Sequence, residues 1–372
     1  MSRESIGVMH LVDSLSFGGT EKVAVTLSAS LPTDTYRPFL CSTREAGPLA
    51  SEVPSHVPLL CLKRQGRFDW NATKRFVQYL KQNDIKLLHA HSSSLFFAKM
   101  AATLSPSAGV RIIWHDHYGS CEVAARSALP YRLATRGIGG VIAVNDLLAG
   151  WARGHLGVPP DRVWYLPNFV NPPDPKETSL PVQLPGYAGT RIICVANLRP
   201  QKDHLTLVEA MKLVVRRQPK AQLLLLGSRV DEHYANSVSK AVADSDLSQN
   251  ISFLGPQSDV AGYLSQCDLG VLSSASEGLP LSLLEYGWAG LPVVATRVGQ
   301  CAEVLDGGRV GLLVDSGNRE ALAECMIQLL ENPQERRELG GKFRSFVEAN
   351  YSRHRVITSL CEIYSTVLGV TL

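Results

Sequence analysis

The stretch that most constrains this chain is Ser273–Val294, SSASEGLPLSLLEYGWAGLPVV. Asp268–Ser274 is a short apolar run of the kind found in a buried strand, and a small polar turn, 275–279, follows it. Pro280 suits a first helical position, where its missing N–H has no intrahelical partner to lose. The spacing predicts a helix through Leu281, Leu284 and Glu285 that stops near Gly287 or Gly290, before Pro292 and VVAT open another strand. A strand–turn–helix–strand unit belongs to a parallel sheet, whose binding edge lies at the carboxyl ends of the strands. Two acids sit in it. Glu277 lies in the turn, and Glu285 lies roughly 7–8 Å further along the axis at 1.5 Å per residue. Helical side chains lean toward the N-terminus, so Glu285 can point to the same mouth as Glu277. The free N–H groups between them suit a phosphate, and the carboxylates suit sugar hydroxyls. Taken singly, Glu277 also reads as a dipole partner and Glu285 as a solvated helix residue, but the apolar flanks give neither an obvious charged face.

Strand and helix patterns alternate along the whole chain, the signature of doubly wound parallel sheets, and 372 residues are long for one core. The first half carries strands at Ile6–Val12, Phe39–Ser42, Leu59–Leu62, Ile85–His89, Val110–Trp114, Gly140–Val144 and Val163–Leu166, with helices at Thr20–Leu31, Asp69–Lys81, Ser92–Leu104, Ala125–Arg136 and Ala149–Leu156. Asn168–Gly186 holds five prolines without periodicity and reads as a linker. Alternation restarts at Arg191. The tail from Gln334 to Leu368 reads as two helices broken near Asn350–Ser352. The expected domains are therefore 1–170, joined by a terminal helix at 352–372, and 171–351.

Eight cysteines form no C-x-x-C pair and sit mostly in apolar runs, so they read as buried thiols rather than a disulfide frame or a zinc site. MSRESIGVMHLVDSL is too short and polar for a signal peptide, and no apolar run approaches a membrane span, so the expected location is cytoplasmic. The net charge of +3 hides an asymmetry: residues 1–170 carry 18 basic and 12 acidic side chains against 19 and 22 in the remainder. A basic first half favours an anionic partner there.

Other candidate residues lie at strand ends. Arg199 and Lys202, in NLRPQKD, suit a diphosphate. Gly18 and Gly19 separate a strand from a helix and would let backbone approach a ligand; the dinucleotide G-x-G-x-x-G is absent. His89 and His91, then His115 and His117, end two strands. Each i, i+2 pair shares a face, and hydrogen bonding to a polar ligand fits better than a metal, because no acids complete a ligand set; His89 also suits an interior position. Asp244-Ser-Asp246 fits a polar turn at a helix end better than a metal site.

In this order and spacing the motifs resemble glycosyltransferase family 4, over nearly the whole chain. The E-x7-E element is Glu277 to Glu285, the glycine loop is Phe17–Lys22 (FGGTEK), the basic pair is Arg199 with Lys202, and Asn168-Phe169-Val170-Asn171 stands for the family's N-G-V-D turn. The resemblance implies a retaining enzyme of GT-B fold, with two Rossmann-like domains facing a cleft and the last helix crossing back to the N-terminal domain. It implies a nucleotide-diphosphate sugar held by the C-terminal domain and a glycan or lipid-linked acceptor held by the N-terminal one. It implies that Arg199 and Lys202 neutralise the leaving diphosphate so that no metal or cofactor is needed. It further implies that Glu277, with backbone at Gly278 and Leu279, holds the sugar, that Glu285 takes the ribose hydroxyls, and that His115 or His117 contacts the sugar. Two departures stand out: Gly299-Gln300 where the family often has Gly-Gly, and Asn145 where a serine is usual. Other enzymes of the fold, such as an epimerase or a sugar-phosphate synthase, and a non-catalytic sugar-binding protein are the alternatives. Lys63, Arg64, Arg67, Lys74 and Arg75 beside Phe68 and Trp70, with Arg126, Arg132 and Arg136, suit peripheral contact with an anionic membrane; no nucleic-acid partner is expected.

Overall fold

The computed structural model describes residues 5–106, 109–118, 126–170, 172 and 183–370. Contacts divide the chain into two units. The first comprises Met1–Tyr118, Arg126–Asn168 and Arg353–Leu372, and the second is built on Phe169–Ser352. Most of the proline-rich segment lies outside the described residues, as does Asn171.

In the first unit the elements run β1 (Ile6–Ser14), α1 (Gly19–Ser30), β2 (Tyr36–Glu45), β3 (Leu59–Cys61), α2 (Trp70–Gln82), β4 (Ile85–His91), α3 (Ser94–Leu104), β5 (Arg111–Asp116), α4 (Ala128–Ala134), β6 (Gly140–Ala143), α5 (Asp146–His155) and β7 (Val163–Tyr165). Its seven-stranded sheet has the order β3-β2-β1-β4-β5-β6-β7, with all neighbours parallel. The second unit runs β8 (Arg191–Val195), α6 (His204–Arg217), β9 (Gln222–Leu226), α7 (Glu232–Asp244), β10 (Ile251–Gly255), α8 (Val260–Leu264), β11 (Leu269–Leu272), α9 (Leu281–Trp288), β12 (Val293–Thr296), α10 (Cys301–Val304), β13 (Leu312–Val314), α11 (Arg319–Glu331) and α12 (Pro333–Asn350). Its parallel six-stranded sheet is ordered β10-β9-β8-β11-β12-β13. The last helix, α13 (Arg353–Leu368), packs in the first unit, where Tyr36 and Tyr364 meet edge to face.

Strands in the second sheet are apolar on both faces because helices cover both. Ile192 and Cys194 of β8 join one core, with Leu223, Leu225 and Met211, while Ile193 joins the other, with Leu224, Val293 and Tyr286. In each sheet the chain order reverses beside its first strand, between β1 and β4 and between β8 and β11. Loops leaving those strands in opposite directions open a crevice at the carboxyl edge.

Several local expectations shift. Pro280 is the N-cap of α9, in extended conformation, and the helix opens at Leu281. The first helix starts at Gly19 rather than Thr20, with Gly18 as its cap. The helix expected over Ala125–Arg136 covers only Ala128–Ala134. Asn145 caps α5, its Oδ1 accepting from the Leu148 N–H at 2.7 Å. Serine is an equally good cap, so this departure keeps the local physics. Asp244 ends α7 and pairs with Lys240, and Asp246 sits at a φ of +55° in the turn beyond.

Candidate functional site

Two sites lie at the two crevices, one in each unit. In the second unit the backbone leaves β8 through Asn197, whose Oδ1 accepts from the Ser228 N–H at 2.8 Å, tying this loop to the one after β9. Arg199 is extended, and Pro200–Lys202 form a single tight turn. Asp203 adopts a left-handed conformation and caps α6 through the Thr206 N–H. The loop after β11 is sewn onto this turn: the Ala275 N–H donates to the Gln201 carbonyl at 2.8 Å, and the Ser273 hydroxyl donates to the Lys202 carbonyl at 3.1 Å. This lattice fixes where Lys202 points. Its ammonium donates to both Glu277 oxygens, at 2.6 and 2.7 Å, and the Ser274 hydroxyl donates to Oε1 at 2.6 Å. The Glu277 side chain is 6% exposed and that of Lys202 21%. An ammonium has three donors, so two on Glu277 leave one for a ligand. The Arg199 Nε is buried without a partner among the described residues.

Gly299, at a φ of +50°, closes the same turn from the far side. A Cβ there would sit 2.3 Å from the Glu277 carbonyl oxygen, so the position demands glycine. The Gln300 N–H donates to the Gly278 carbonyl at 3.0 Å, while its side-chain amide turns to Glu303 at 2.6 Å. The residue that departs from Gly-Gly is thus anchored on its own helix. Leu279 is buried, and Glu285 is half-buried on the second turn of α9. Next to Lys202, His204 is fully buried; burial first and the Lys202 charge second lower its pKa to about 4, so it is neutral at physiological pH.

In the first unit Gly18 and Gly19 stand at the exit of β1. Gly18 has an ordinary extended φ of −158° and Gly19 is exposed, so neither is required by backbone conformation. The neighbouring strand ends carry histidines that the fold gathers closely. His91 and His115 are register partners on β4 and β5, and His10 on β1 is opposite His89. Nδ1 of His10 lies 3.0 Å from Nε2 of His91; Nδ1 of His91 lies 3.0 Å from Nε2 of His117; Nε2 of His89 lies 3.0 Å from Nδ1 of His115. The Tyr364 hydroxyl lies 2.6 Å from Nδ1 of His89 and 3.2 Å from Nε2 of His10. His117 is half-buried and the other four are buried. Burial lowers all five, His10 and His117 to about 3, so the cluster is neutral. His10–His89–His91 and His91–His115–His117 each place three ring nitrogens close enough to hold a transition ion. Every link nevertheless has hydrogen-bonding length and joins one Nδ1 or Nε2 to a single partner. Among the described residues, the His115 Nε2 is the buried ring nitrogen of the five that has no partner.

Sequence reasoning named His89, His91, His115 and His117 but not His10 or Tyr364. A histidine inside IGVMHLV was the available signal for the first; nothing local marked the second. Two basic residues assigned to a surface are drawn inward. Arg64 pairs with Asp13 at 3.4 Å with its side chain 7% exposed. Arg126 forms a two-pronged pair with Asp116, stacks 3.8 Å from the Trp151 ring centroid, and is bordered by Trp114, Tyr118 and Tyr131. Both are structural cations: each guanidinium reaches a carboxylate, half-buried in Asp13 and buried in Asp116, while it packs on an aromatic face.

Known proteins share this plan. Residues 17–173 match the model described as Glycosyltransferase Family 4, and residues 189–332 match Glycosyl transferases group 1. A GDP-mannose-dependent monoacylated alpha-(1-6)-phosphatidylinositol monomannoside mannosyltransferase of Corynebacterium glutamicum is 31% identical over 204 residues, 50% of this chain and 52% of that enzyme. The chain thus spans about half the length of that relative. A UDP-Gal:alpha-D-GlcNAc-diphosphoundecaprenol alpha-1,3-galactosyltransferase of Escherichia coli is 24% identical over 356 residues, 89% of each chain. The crystal structure of Anabaena HepE in complex with UDP and glucose superposes with a TM-score of 0.84 at 19% identity, covering 97% of this chain and 100% of that one. That likeness identifies the architecture as GT-B. With one family model on each of the two sheets, the chain belongs to the family 4 glycosyltransferases of GT-B fold.

Proposed function

We propose that the protein is a retaining glycosyltransferase that moves a sugar from a nucleotide-diphosphate sugar to a hydroxyl of a glycan or lipid-linked acceptor, in biosynthesis of the cell-surface polysaccharide type. The observation that carries this is the Lys202–Glu277 pair at the β8/β11 crevice, with the Nε of Arg199, unpartnered among the described residues, on the Lys202 loop. A diphosphate needs cations and a sugar needs hydrogen-bond acceptors. The pair supplies both from two loops hydrogen-bonded to each other, which fits electrostatic catalysis without a metal. In this reading Arg199 and Lys202 stabilise the charge that grows as the bond from the anomeric carbon to phosphate oxygen breaks. The acceptor oxygen bonds to that carbon on the same face and its proton passes to the leaving phosphate, so configuration is retained. Glu277 and the backbone of Gly278 and Leu279 hold the sugar, Glu285 the ribose, His115 or His117 a sugar hydroxyl, and Gly18 and Gly19 offer backbone to the ligand.

The test is a thermal-shift screen of nucleotide sugars followed by mass spectrometry and NMR of the products. A stabilising donor, transferred with its anomeric configuration kept and in the presence of chelator, is expected. Epimerised donor without acceptor, transfer to a sugar phosphate, or binding without turnover would each replace this reading.

A lipid-linked acceptor accords with the names of the Corynebacterium and Escherichia relatives, and so does the surface of α4. Leu129 and Leu133, exposed by 64% and 55%, lie one turn apart on that helix, flanked by the exposed Arg132 and Arg136. Phe68 and Trp70, beside the exposed Lys63, Arg67 and Lys74, form a second stretch of this kind. Apolar tips with cationic flanks suit shallow docking on anionic lipid at the cytoplasmic membrane face. Among the described residues no helix is long and apolar enough to cross a membrane. Flotation with anionic liposomes at low salt is expected to carry the protein, and Leu129→Asp with Leu133→Asp to release it; absence of flotation at low salt removes the membrane from the proposal.

A further inference from the structure

The histidine cluster has a connectivity that its proximity alone does not convey. Traced atom by atom, it is a single file: His115 Nδ1 to His89 Nε2, His89 Nδ1 to the Tyr364 hydroxyl, that hydroxyl to His10 Nε2, His10 Nδ1 to His91 Nε2, and His91 Nδ1 to His117 Nε2. His89, His10 and His91 each enter the file through one nitrogen and leave through the other, and His115 and His117 end it. A neutral imidazole has one donor and one acceptor nitrogen, and a phenol donates one proton. With the phenol proton used inside the file, the five links admit two complete arrangements: all five histidines carry their proton on Nδ1, or all five carry it on Nε2. One mixed set, with His89 and His10 both donating to the Tyr364 oxygen, strands the buried phenolic proton without an acceptor among the described residues, and any other leaves two lone pairs or two N–H groups facing each other at a link.

We infer that His10, His89, His91, His117 and Tyr364 form one tautomeric unit that holds His115 with its Nε2 lone pair bare, as an acceptor for a hydroxyl of the substrate. This rests on the proposal that the strand-end histidine touches the sugar. The alternative arrangement puts a proton on the His115 Nε2, which is buried and has no acceptor among the described residues. An orphaned buried N–H is rarer than an under-used acceptor and is the costlier of the two. At the other end the half-buried His117 presents its Nδ1. Reversal needs all five shared protons to cross their bonds together, with one proton entering at His115 Nε2 and one leaving from His117 Nδ1. Charge does not break the file, since burial and neighbouring imidazoles hold its members neutral. Tyr364 is a positioning residue: it touches no reacting atom and couples the His115–His89 half to the His10–His91–His117 half.

Two-bond nitrogen–proton correlation spectra of the ¹⁵N-histidine-labelled whole protein read each tautomer without any substrate. Five buried-type histidine signals, all of the Nδ1–H form, are expected. Mixed forms among the five, all-Nε2–H forms, or a stoichiometric transition metal by elemental analysis would overturn the inference. Tyr364→Phe cuts the file, and the His89 and His115 signals are expected to move to the Nε2–H form or to exchange. Turnover should fall about tenfold while donor KM stays within about twofold; an unchanged spectrum sinks the coupling. The wild-type spectrum needs no variant, so the test survives if Tyr364→Phe does not fold. Uniform Nδ1–H tautomers together with unchanged turnover in His115→Ala would overturn the hydroxyl contact, and with it the role proposed for His115, whereas mixed tautomers overturn the lock and leave transferase activity standing.

Discussion

Replacing Lys202 by alanine is expected to lower turnover with a nucleotide-sugar donor by about 10³-fold, comparable to removing a preorganised oxyanion donor. It is also expected to destabilise the second unit by about 3 kcal/mol. The second effect follows from burial: the Glu277 carboxylate, 6% exposed, loses the cation that balances its charge, and the neutral Ser274 hydroxyl that donates to it does not replace that charge. Breaking one partner of a buried pair costs more than removing both. The double variant Lys202→Met with Glu277→Gln should therefore recover most of the lost stability, because no uncompensated charge is left inside. It should recover no activity, because neither the cation for the diphosphate nor the carboxylate for the sugar returns. Urea denaturation and steady-state kinetics on the wild type, the single variant and the double variant separate the two contributions. Equal turnover in Lys202→Ala and wild type would contradict the diphosphate role, and a double variant as active as wild type would reduce the pair to a structural clasp.

What could be read from the sequence was what the chain specifies over short distances. The unit around Ser273 to Val294 shows its strand, turn and helix through local hydrophobic period and proline, and the structure differs there in a strand that ends at Leu272 rather than Ser274 and in the step that makes Pro280 a cap. The alternation that announced two doubly wound sheets is local in the same way. Contacts set by sheet order were out of reach. Lys202 and Glu277 are 75 positions apart and meet only because β8 and β11 are neighbours across the reversal in strand order. Tyr364 reaches His10 across 354 positions because the last helix returns to the first sheet. Charge was misread for a related reason: Arg64 and Arg126 look like surface cations in a basic half, yet each is claimed by a buried or half-buried acid, Asp13 and Asp116, that no sequence spacing links to it.

Acid should unfold the first unit before the second. The sign follows from the lowered histidine values. An imidazole neutral in the native state with a pKa of about 3, as for His10 and His117, stays unprotonated as the pH falls below 6.5, while the same residue in the unfolded chain takes up a proton. The unfolded state then binds more protons, so stability is fully present above about pH 6.5 and is lost progressively as the pH falls toward 3. Each such group costs about 1.4 kcal/mol per pH unit. Between pH 6.5 and 5, His10 and His117 therefore account for about 4 kcal/mol, a large part of the roughly 5–15 kcal/mol that holds a typical domain together. His89, His91 and His115, lowered in the same direction, deepen the loss. In the second unit His204, at about 4, acts alone among the shifted histidines and contributes about 2 kcal/mol over the same range. Hydrogen exchange read by mass spectrometry at pH 7 and pH 5, corrected for intrinsic exchange rates, resolves the two sheets. Protection in β1, β4 and β5 is expected to fall by at least two orders of magnitude more than in β8, β9 and β11. His10→Leu, which removes one proton-binding group from the unfolded chain, should flatten the pH dependence of the first unit by about 1.4 kcal/mol per unit. Equal losses in both sheets, or a slope that His10→Leu leaves unaltered, would show that the buried imidazoles do not govern the acid limb. The difference between the units would survive even a change in the assignment of the reaction, since it depends only on imidazoles that burial holds neutral.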